Sequence, residues 1–508
     1  MFFRLKNYFL GGGVARIAFY SAVYNFTGKV ISSVFIALSF VIIVKNLNVA
    51  NFGQYIFYVN LVFFIVLLLD FGATEVMLRY VPEYIEKKDF SLIKGLLNRF
   101  IFIISAGALI SILSFFLLFH FFPKLFLRFE LSAPILACIA IFGCLKIFTF
   151  VLGNILNAFF YQFYKISFEI VTSVLKLLLI FVLLKVSFGA WQLILLNAFL
   201  DLFVIAGFYA RICKVLYRVP LLDDKSVFAR VHKFGINEYL YKLFWFFTDN
   251  RFDIYIVGFI LGATKAGYFA FAASIPNLLI DWSPGFIIRP AVSPLFIKEY
   301  TAKKDTTRIK YLFQLHNKFL VFFTLPGFLI ISILIDKIII YIFDPKYLPS
   351  VNVFMIFIIA IFFSSMIVPL RNILVVMERT DISKLTNIVA IPKIALVFLL
   401  TKLAGINGAA LAFTVSILAI LGMNLILIRK VILLRYPWES FMKIAINSAI
   451  SGFVLFLLRS QINNRISLIL VVILGLIIYF FFAYQNKAFD KSERQMFNEV
   501  LKLKIWNF

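Results

Sequence analysis

The sequence predicts an all-α polytopic membrane protein of about 14 transmembrane helices, in two six-helix lobes of parallel sense plus an extra C-terminal pair. Three observations carry that expectation. Of 508 residues, 63% are hydrophobic and 15% charged, where soluble domains hold roughly half apolar and about a quarter charged residues. Apolar runs of about 20 residues, enough helix to cross the hydrocarbon, recur along the whole length. Short motifs of the first half return in the same order in the second.

The runs at 17–44, 54–78, 95–119, 133–158, 166–186 and 190–212 make a first lobe, 1–212. A linker at 213–232 leads to runs at 234–260, 266–290, 313–335, 350–376, 383–402 and 407–428, a second lobe spanning 233–430. Runs at 439–458 and 466–484 form the extra pair within 431–486, and 487–508 is a basic tail. A transmembrane barrel would alternate apolar and polar residues over segments of about ten, and these runs are apolar on all sides. Small matches carry the repeat. "LNVANFGQY" at 47–55 resembles "LGATKAGY" at 261–268, "GNIL" from Gly153 resembles "RNIL" from Arg371, "FPK" ending at Lys124 resembles "DPK" ending at Lys346, and Lys176 corresponds to Lys393. The offset drifts only from 213 residues (Tyr55 to Tyr268) to 222 (Lys124 to Lys346). Six spans is an even number, so both copies enter the membrane in the same sense, related by an axis along the membrane normal.

Fifty Lys and Arg against 24 Asp and Glu give a net charge of +26. The cations fall mainly in alternate short connections: Arg79 and Lys94; Arg211, Lys214 and Arg218; Lys303, Lys304 and Arg308; Arg429, Lys430 and Arg435. Short loops rich in Lys and Arg stay in the cytoplasm, which places both termini there. The surplus is therefore a topology signal, and no nucleic-acid partner is expected. The first residues do not read as a cleavable signal. Cys138, Cys144 and Cys213 make no disulfide framework, and His120, His232 and His316 have no metal-ligand spacing. "GGG" at 11–13 is followed by no Lys-Ser/Thr, so it is not a phosphate loop. No nucleophile, base and orienter come together. The expectation is a protein with no cofactor, no metal and no enzymatic activity.

Polar residues at membrane depth carry the functional signal. The run 236–262 holds Glu238, Lys242, Asp249, Arg251 and Asp253. As one continuous helix turning about 100° per residue, it puts Glu238, Lys242, Trp245, Asp249 and Asp253 on one face. A charge facing lipid near the bilayer centre costs roughly 2.5–3.5 kcal/mol, and an apolar residue there contributes only about 0.3–0.6 kcal/mol. That face must look at protein or at water. Internal pairing, such as Glu238 with Lys242, is one reading; a wet cavity is the other. Further stripes hold Asn25, Lys29, Ser32 and Ser39; Lys146, Gly153 and Asn157; Glu169, Ser173 and Lys176; Asn197 and Asp201; Asn277, Asp281 and Arg289; Asn387 and Lys393. Lys29, Lys146, Lys176 and Lys393 have no partner on their own helix. Cations gathered around one cleft attract a multiply charged anion. Candidate anion-binding residues are thus Lys29, Lys146, Lys176, Lys242, Lys393, Arg289 and Arg371. Candidates for exchanging a proton or Na⁺ are Asp201, Glu238, Asp249, Asp253 and Asp281. Pro276, Pro284, Pro290 and Pro294 interrupt helical hydrogen bonding and give kinks or hinges.

"NVANFGQYIFYVNLVFFIVLLLDFGATEVMLRYVPEY" at 48–84 and "DIYIVGFILGATKAGYFAFAASI" at 253–275 resemble the polysaccharide-transporter branch of the multidrug/oligosaccharidyl-lipid/polysaccharide exporter superfamily. The likeness extends over nearly the whole chain through degenerate motifs, which fix the family better than the substrate. Asp70, Gly72, Asp253, Gly267 and Tyr268 match family-typical positions. The resemblance implies a flippase that moves undecaprenyl-diphosphate-linked oligosaccharide, the repeat unit of O-antigen, capsule or exopolysaccharide, across a prokaryotic cytoplasmic membrane by alternating access. It implies a V-shaped lumen whose cations hold the diphosphate while the lipid tail stays in the membrane. Implied partners are the lipid-linked oligosaccharide, membrane lipids, H⁺ or Na⁺ as coupling ion, and a polysaccharide polymerase with glycosyltransferases. Two relatives remain as alternatives. An ion-coupled multidrug extruder would need an acidic, aromatic cavity, against which the lysines speak. A peptidoglycan-precursor (lipid II) flippase would carry a basic first span, reduced here to Lys29. A membrane-embedded glycosyltransferase would need a large catalytic loop, and the longest connections are about twenty residues.

Overall fold

The protein is described by a computed structural model covering residues 14–86, 89–121, 131–159, 161–185, 188–216, 225–281, 306–377, 379–501 and 508. All regular structure among the described residues is helical. Eleven stretches of it are long and apolar enough to cross a membrane. By compactness the chain divides into Met1–Gly267 and Tyr268–Phe508.

The first unit holds α1 (Val14–Asn46), α2 (Val49–Asp70), α3 (Ala73–Glu86), α4 (Phe90–Phe121), α5 (Ala133–Ala158), α6 (Gln162–Leu183), α7 (Ala190–Leu216), α8 (Lys225–Thr248) and α9 (Asn250–Leu261). It closes with the first residues of α10 (Ala263–Asp281). α5 is its centre, packing on α2, α3, α4 and α7, while α1 lies along α6. Ile65, Leu69, Ile147, Ile155 and Leu193 are buried in this unit. Outward faces carry residues such as Phe102, Leu109 and Phe199 in the open, as lipid contact demands of a helix in hydrocarbon.

The second unit holds the rest of α10, then α11 (Thr306–Tyr341), α12 (Val351–Val376), α13 (Thr380–Thr386), α14 (Ala390–Ile428), α15 (Trp438–Leu458), α16 (Arg465–Asn486) and α17 (Lys491–Leu501). α11 packs on α12, α15 and α16, and α12 packs on α14. Phe313, Phe322, Leu370, Ile373, Ile444 and Tyr479 form a buried core, within which the Tyr479 hydroxyl donates to Phe322 O at 2.7 Å. The amphipathic α17 is held through Glu493, whose carboxylate accepts from the buried Lys318 at 3.0 Å. The pairing of α5 with α7 recurs here. After the non-helical backbone at Gly405 (φ 63°, ψ −142°), α14 packs on α12, with Phe413 against Phe357 and Thr414 Oγ1 donating to Ile356 O at 3.4 Å.

The eleven stretches differ from the expected fourteen spans for local reasons. Spans expected at 383–402 and 407–428 form one 45-residue stretch, Lys384–Ile428, with its break at Gly405. The run expected as a single helix over 234–260 is two helices. The chain is extended at Asp249 (φ −77°, ψ 152°), whose carboxylate caps α9 by accepting from Arg251 N at 2.9 Å. A wheel drawn through Glu238, Lys242, Asp249 and Asp253 as one face is therefore wrong beyond Asp249. An aspartate that accepts from the first free N–H groups starts a helix rather than continuing one. The span expected at 266–290 is described only to Asp281; Arg289, Pro284, Pro290 and Pro294 lie outside the described residues, as does the side chain of Asp281. Residues 217–224 of the expected linker also lie outside them, and α8 begins within it.

Two further features fix backbone positions. Between α2 and α3, Phe71 (φ 42°) and Gly72 (φ 78°) are left-handed. A Cβ on Gly72 would strike Gly235 O of α8. At the start of α2, a Cβ on Gly53 would strike Ala263 O, and one on Gly267 would strike Val49 O. These contacts are reciprocal: Val49 and Gly53 stand 214 residues before Ala263 and Gly267. Two copies of the repeat motif thus meet isologously, i on j and j on i.

Candidate functional site

The site is built on one face of α6. Lys165, Glu169 and Lys176 stand at i, i+4 and i+11, within about 40° of one another on a helical wheel, and the outer two are about 16 Å apart along the axis. α6 packs on α1, which brings Lys29 to the upper part of this stripe, and on α7, which carries Asp201. Lys29 Nζ lies 3.3 Å from Glu169 Oε2. Lys165 Nζ lies 3.7 Å from Glu169 Oε1. One carboxylate therefore holds two ammoniums, one on each oxygen.

Lower on the stripe the pattern returns. Lys146 of α5 donates to Asp201 Oδ1 at 3.1 Å, and Lys176 is close enough to act electrostatically on the same carboxylate. Asp201 is buried and its Oδ2 accepts no hydrogen bond from the described residues. Lys146 also sits 5.6 Å from the Phe150 ring centre and 6.0 Å from that of Phe142, contacts that favour a cation. At the other end of the ladder, one helical turn before Lys165, Arg211 Cζ stacks 4.4 Å over Tyr161 and 5.7 Å from Tyr164. Tyr164 is itself fixed by donating to Gly207 O at 3.0 Å. Four lysines (29, 146, 165, 176) against two carboxylates (169, 201) leave two positive charges in excess, before Arg211 is counted. The pairs differ in exposure: the Lys29 side chain is 52% exposed, whereas that of Asp201 is 9% exposed.

A second cluster has the opposite bias. Lys242 of α8 donates to Asp70 Oδ2 at 2.8 Å and to Thr74 Oγ1, and lies 3.4 Å from Glu75. Asp70 also accepts from Thr74 N and Oγ1, and Asn154 of α5 donates to Thr74 O at 3.2 Å. This network pins the left-handed break between α2 and α3 to α5 and α8. Lys242 is thus saturated by two carboxylates, which makes it a brace.

Residues 19–298 match the family described as polysaccharide biosynthesis protein. The chain belongs to that family. A search of the curated proteins finds no match. Among solved structures, this chain is similar to the lipid II flippase MurJ in its inward closed conformation, with a TM-score of 0.66 at 16% identity over 96% of this chain and 99% of that one. It is similar to the MATE multidrug transporter DinF-BH (0.57, 14%, 82% and 96%). It is also similar to a MOP superfamily transporter from Pyrococcus furiosus (0.58, 10%, 81% and 95%). At these identities the likeness establishes the fold. With eleven stretches long and apolar enough to cross a membrane, the chain is a multi-pass membrane protein.

The structure brings Lys29, Lys146, Lys176 and Asp201 onto one ladder, all in the first unit. It takes Lys242 to Asp70 and Glu75, not to Glu238, which is buried. Arg251 stacks 4.4 Å over Phe63 and lies 3.9 Å from Asp249, the α9 cap. Asp253 is buried in the first turn of α9. In the second unit, Lys393 is buried 5.3 Å from the Phe413 ring and Arg371 is part-buried on α12. Lys165 and Arg211 are ladder members that the sequence stripes missed. The signal for Lys165 was its i, i+4 spacing to Glu169.

Proposed function

We propose that this chain is a flippase for diphosphate-linked oligosaccharide lipids, the undecaprenyl-diphosphate-linked repeat unit of O-antigen, capsule or exopolysaccharide, in a prokaryotic cytoplasmic membrane with both termini inside. The observation that carries this reading is the excess of cations along α6 at membrane depth. A diphosphate joined to two organic groups carries about two negative charges, one per phosphate diester, and moving them unaided through hydrocarbon is prohibitive. A hydrated ladder of Lys165, Lys29, Lys176 and Lys146 offsets that cost stepwise along about 16 Å of helix, while the lipid tail stays among the exposed apolar faces. Alternating access presents the ladder to one side and then the other. Lys393 and Arg371 extend the same role to the second copy of the repeat. Asp201, with an oxygen that accepts nothing from the described residues, is the best placed of the acids to take a proton or Na⁺ during the reset; Glu238, Asp249, Asp253 and Asp281 stand behind it. Transport in proteoliposomes that ignores imposed pH and Na⁺ gradients would exclude such coupling. A polymerase and glycosyltransferases are the partners this chemistry calls for.

A second reading is a peptidoglycan-precursor flippase, favoured by the 96% coverage of this chain by the lipid II flippase structure. Both cargoes present the same diphosphate. The test replaces Lys176 and Lys393 with Ala in the producing cell. Loss of surface polysaccharide with intact growth supports the first reading, and lysis with normal polysaccharide the second. Normal polysaccharide and normal growth contradict both.

A further inference from the structure

An anion site has no evident need of a carboxylate at its centre, yet Glu169 sits between Lys29 and Lys165 with one oxygen on each ammonium. Two ammoniums share the two non-bridging oxygens of a phosphate in the same way. The two lysines are held differently. Lys165 is confined: its Cε lies beside Gly153, where no side chain pushes back, and the Phe208 ring borders the same spot. The half-exposed Lys29 can swing toward an arriving ligand. Among the described residues, Glu169 accepts no hydrogen bond from backbone or hydroxyl, and Lys29 and Lys165 are the partners that hold it. Asp201 contrasts with it, being buried, hydrogen-bonded by Lys146 and nearly closed to solvent.

We infer that Glu169 is an internal stand-in for phosphate: it occupies Lys29 and Lys165 when cargo is absent, and the cargo's phosphate displaces it to take the same two ammoniums. This deepens the flippase reading and rests on it. Glu169 is a positioning residue with two effects. It keeps two lysines from repelling one another in the empty site, and by competing for them it weakens cargo binding and speeds release.

Farnesyl diphosphate serves as the soluble probe, titrated against the purified full chain in lipid nanodiscs. Glu169→Gln removes the competing charge, and binding is expected to tighten about tenfold. Glu169→Asp keeps the charge but shortens its reach, so its affinity falls between wild type and Glu169→Gln; it also serves should the amide variant melt early. Lys29→Gln with Lys165→Gln weakens binding at least about tenfold. In proteoliposomes Glu169→Gln slows steady-state translocation despite tighter binding, a split that a mere brace between α1 and α6 would not give. Unchanged or weaker binding in both Glu169 variants, with the lysine pair still required, overturns the stand-in and leaves the head-group reading intact. Unchanged binding in the lysine double variant overturns both.

Discussion

Lys146 and Asp201 are the pair on which the lower ladder turns. Removing one partner of a buried ion pair leaves an uncompensated charge and costs roughly 3 kcal/mol, whereas replacing both by apolar residues is close to neutral. Asp201→Asn should therefore lower the melting temperature of the purified protein by several degrees, and Lys146→Met with Asp201→Leu should recover most of it. Neither variant should transport. Full transport by the apolar pair would make the ion pair structural glue. The lysines and Asp201 were legible in the sequence because each is a charge inside an apolar run, where chance burial is costly. Lys165 was not, because it stands one residue before the run read as starting at 166, and a lysine at a span's end reads as snorkelling. The partners of Lys242 were not legible either: Asp70 and Glu75 lie about 170 residues away in sequence, and only the fold joins them.

At the scale of elements, spans were legible and their breaks were not. Apolar length sets a span whatever its neighbours do, but Asp249 is both a charge and a helix cap, and periodicity alone weighs it as the former. Asp249→Ala should cost about 1 kcal/mol through loss of the cap, with Asp249→Asn retaining most of it; thermal melting distinguishes them. An equal loss in both would assign Asp249 an ionic role instead. The left-handed turn after α2 makes a stronger prediction. Gly72→Ala adds about 1–3 kcal/mol of backbone strain and drives a methyl into Gly235 O, so expression in the membrane should fall sharply. Gly53→Val strikes Ala263 O from the equivalent motif and should do the same, while Gly327→Ala, where a Cβ meets nothing within 4 Å, should be silent.

For the molecule as a whole, the duplication was legible from feeble matches because they kept one order. The boundary by compactness falls later along the chain than the sequence linker at 213–232, at Gly267, because α8 and α9 pack on α2 and α3. The proposed cargo is the property least written in the sequence, since charges at membrane depth mark an anionic head group and an uncharged sugar leaves no comparable pattern. In the proposed flippase the α6 ladder carries the diphosphate. The most direct measurement is translocation of a fluorescent diphosphate-linked lipid in proteoliposomes by wild type and by a Lys146→Gln, Lys176→Gln variant of equal abundance and melting temperature. Translocation is expected to fall at least about tenfold, with scrambling of a zwitterionic lipid unchanged; wild-type rates in the double variant would mean that the ladder does not carry the head group.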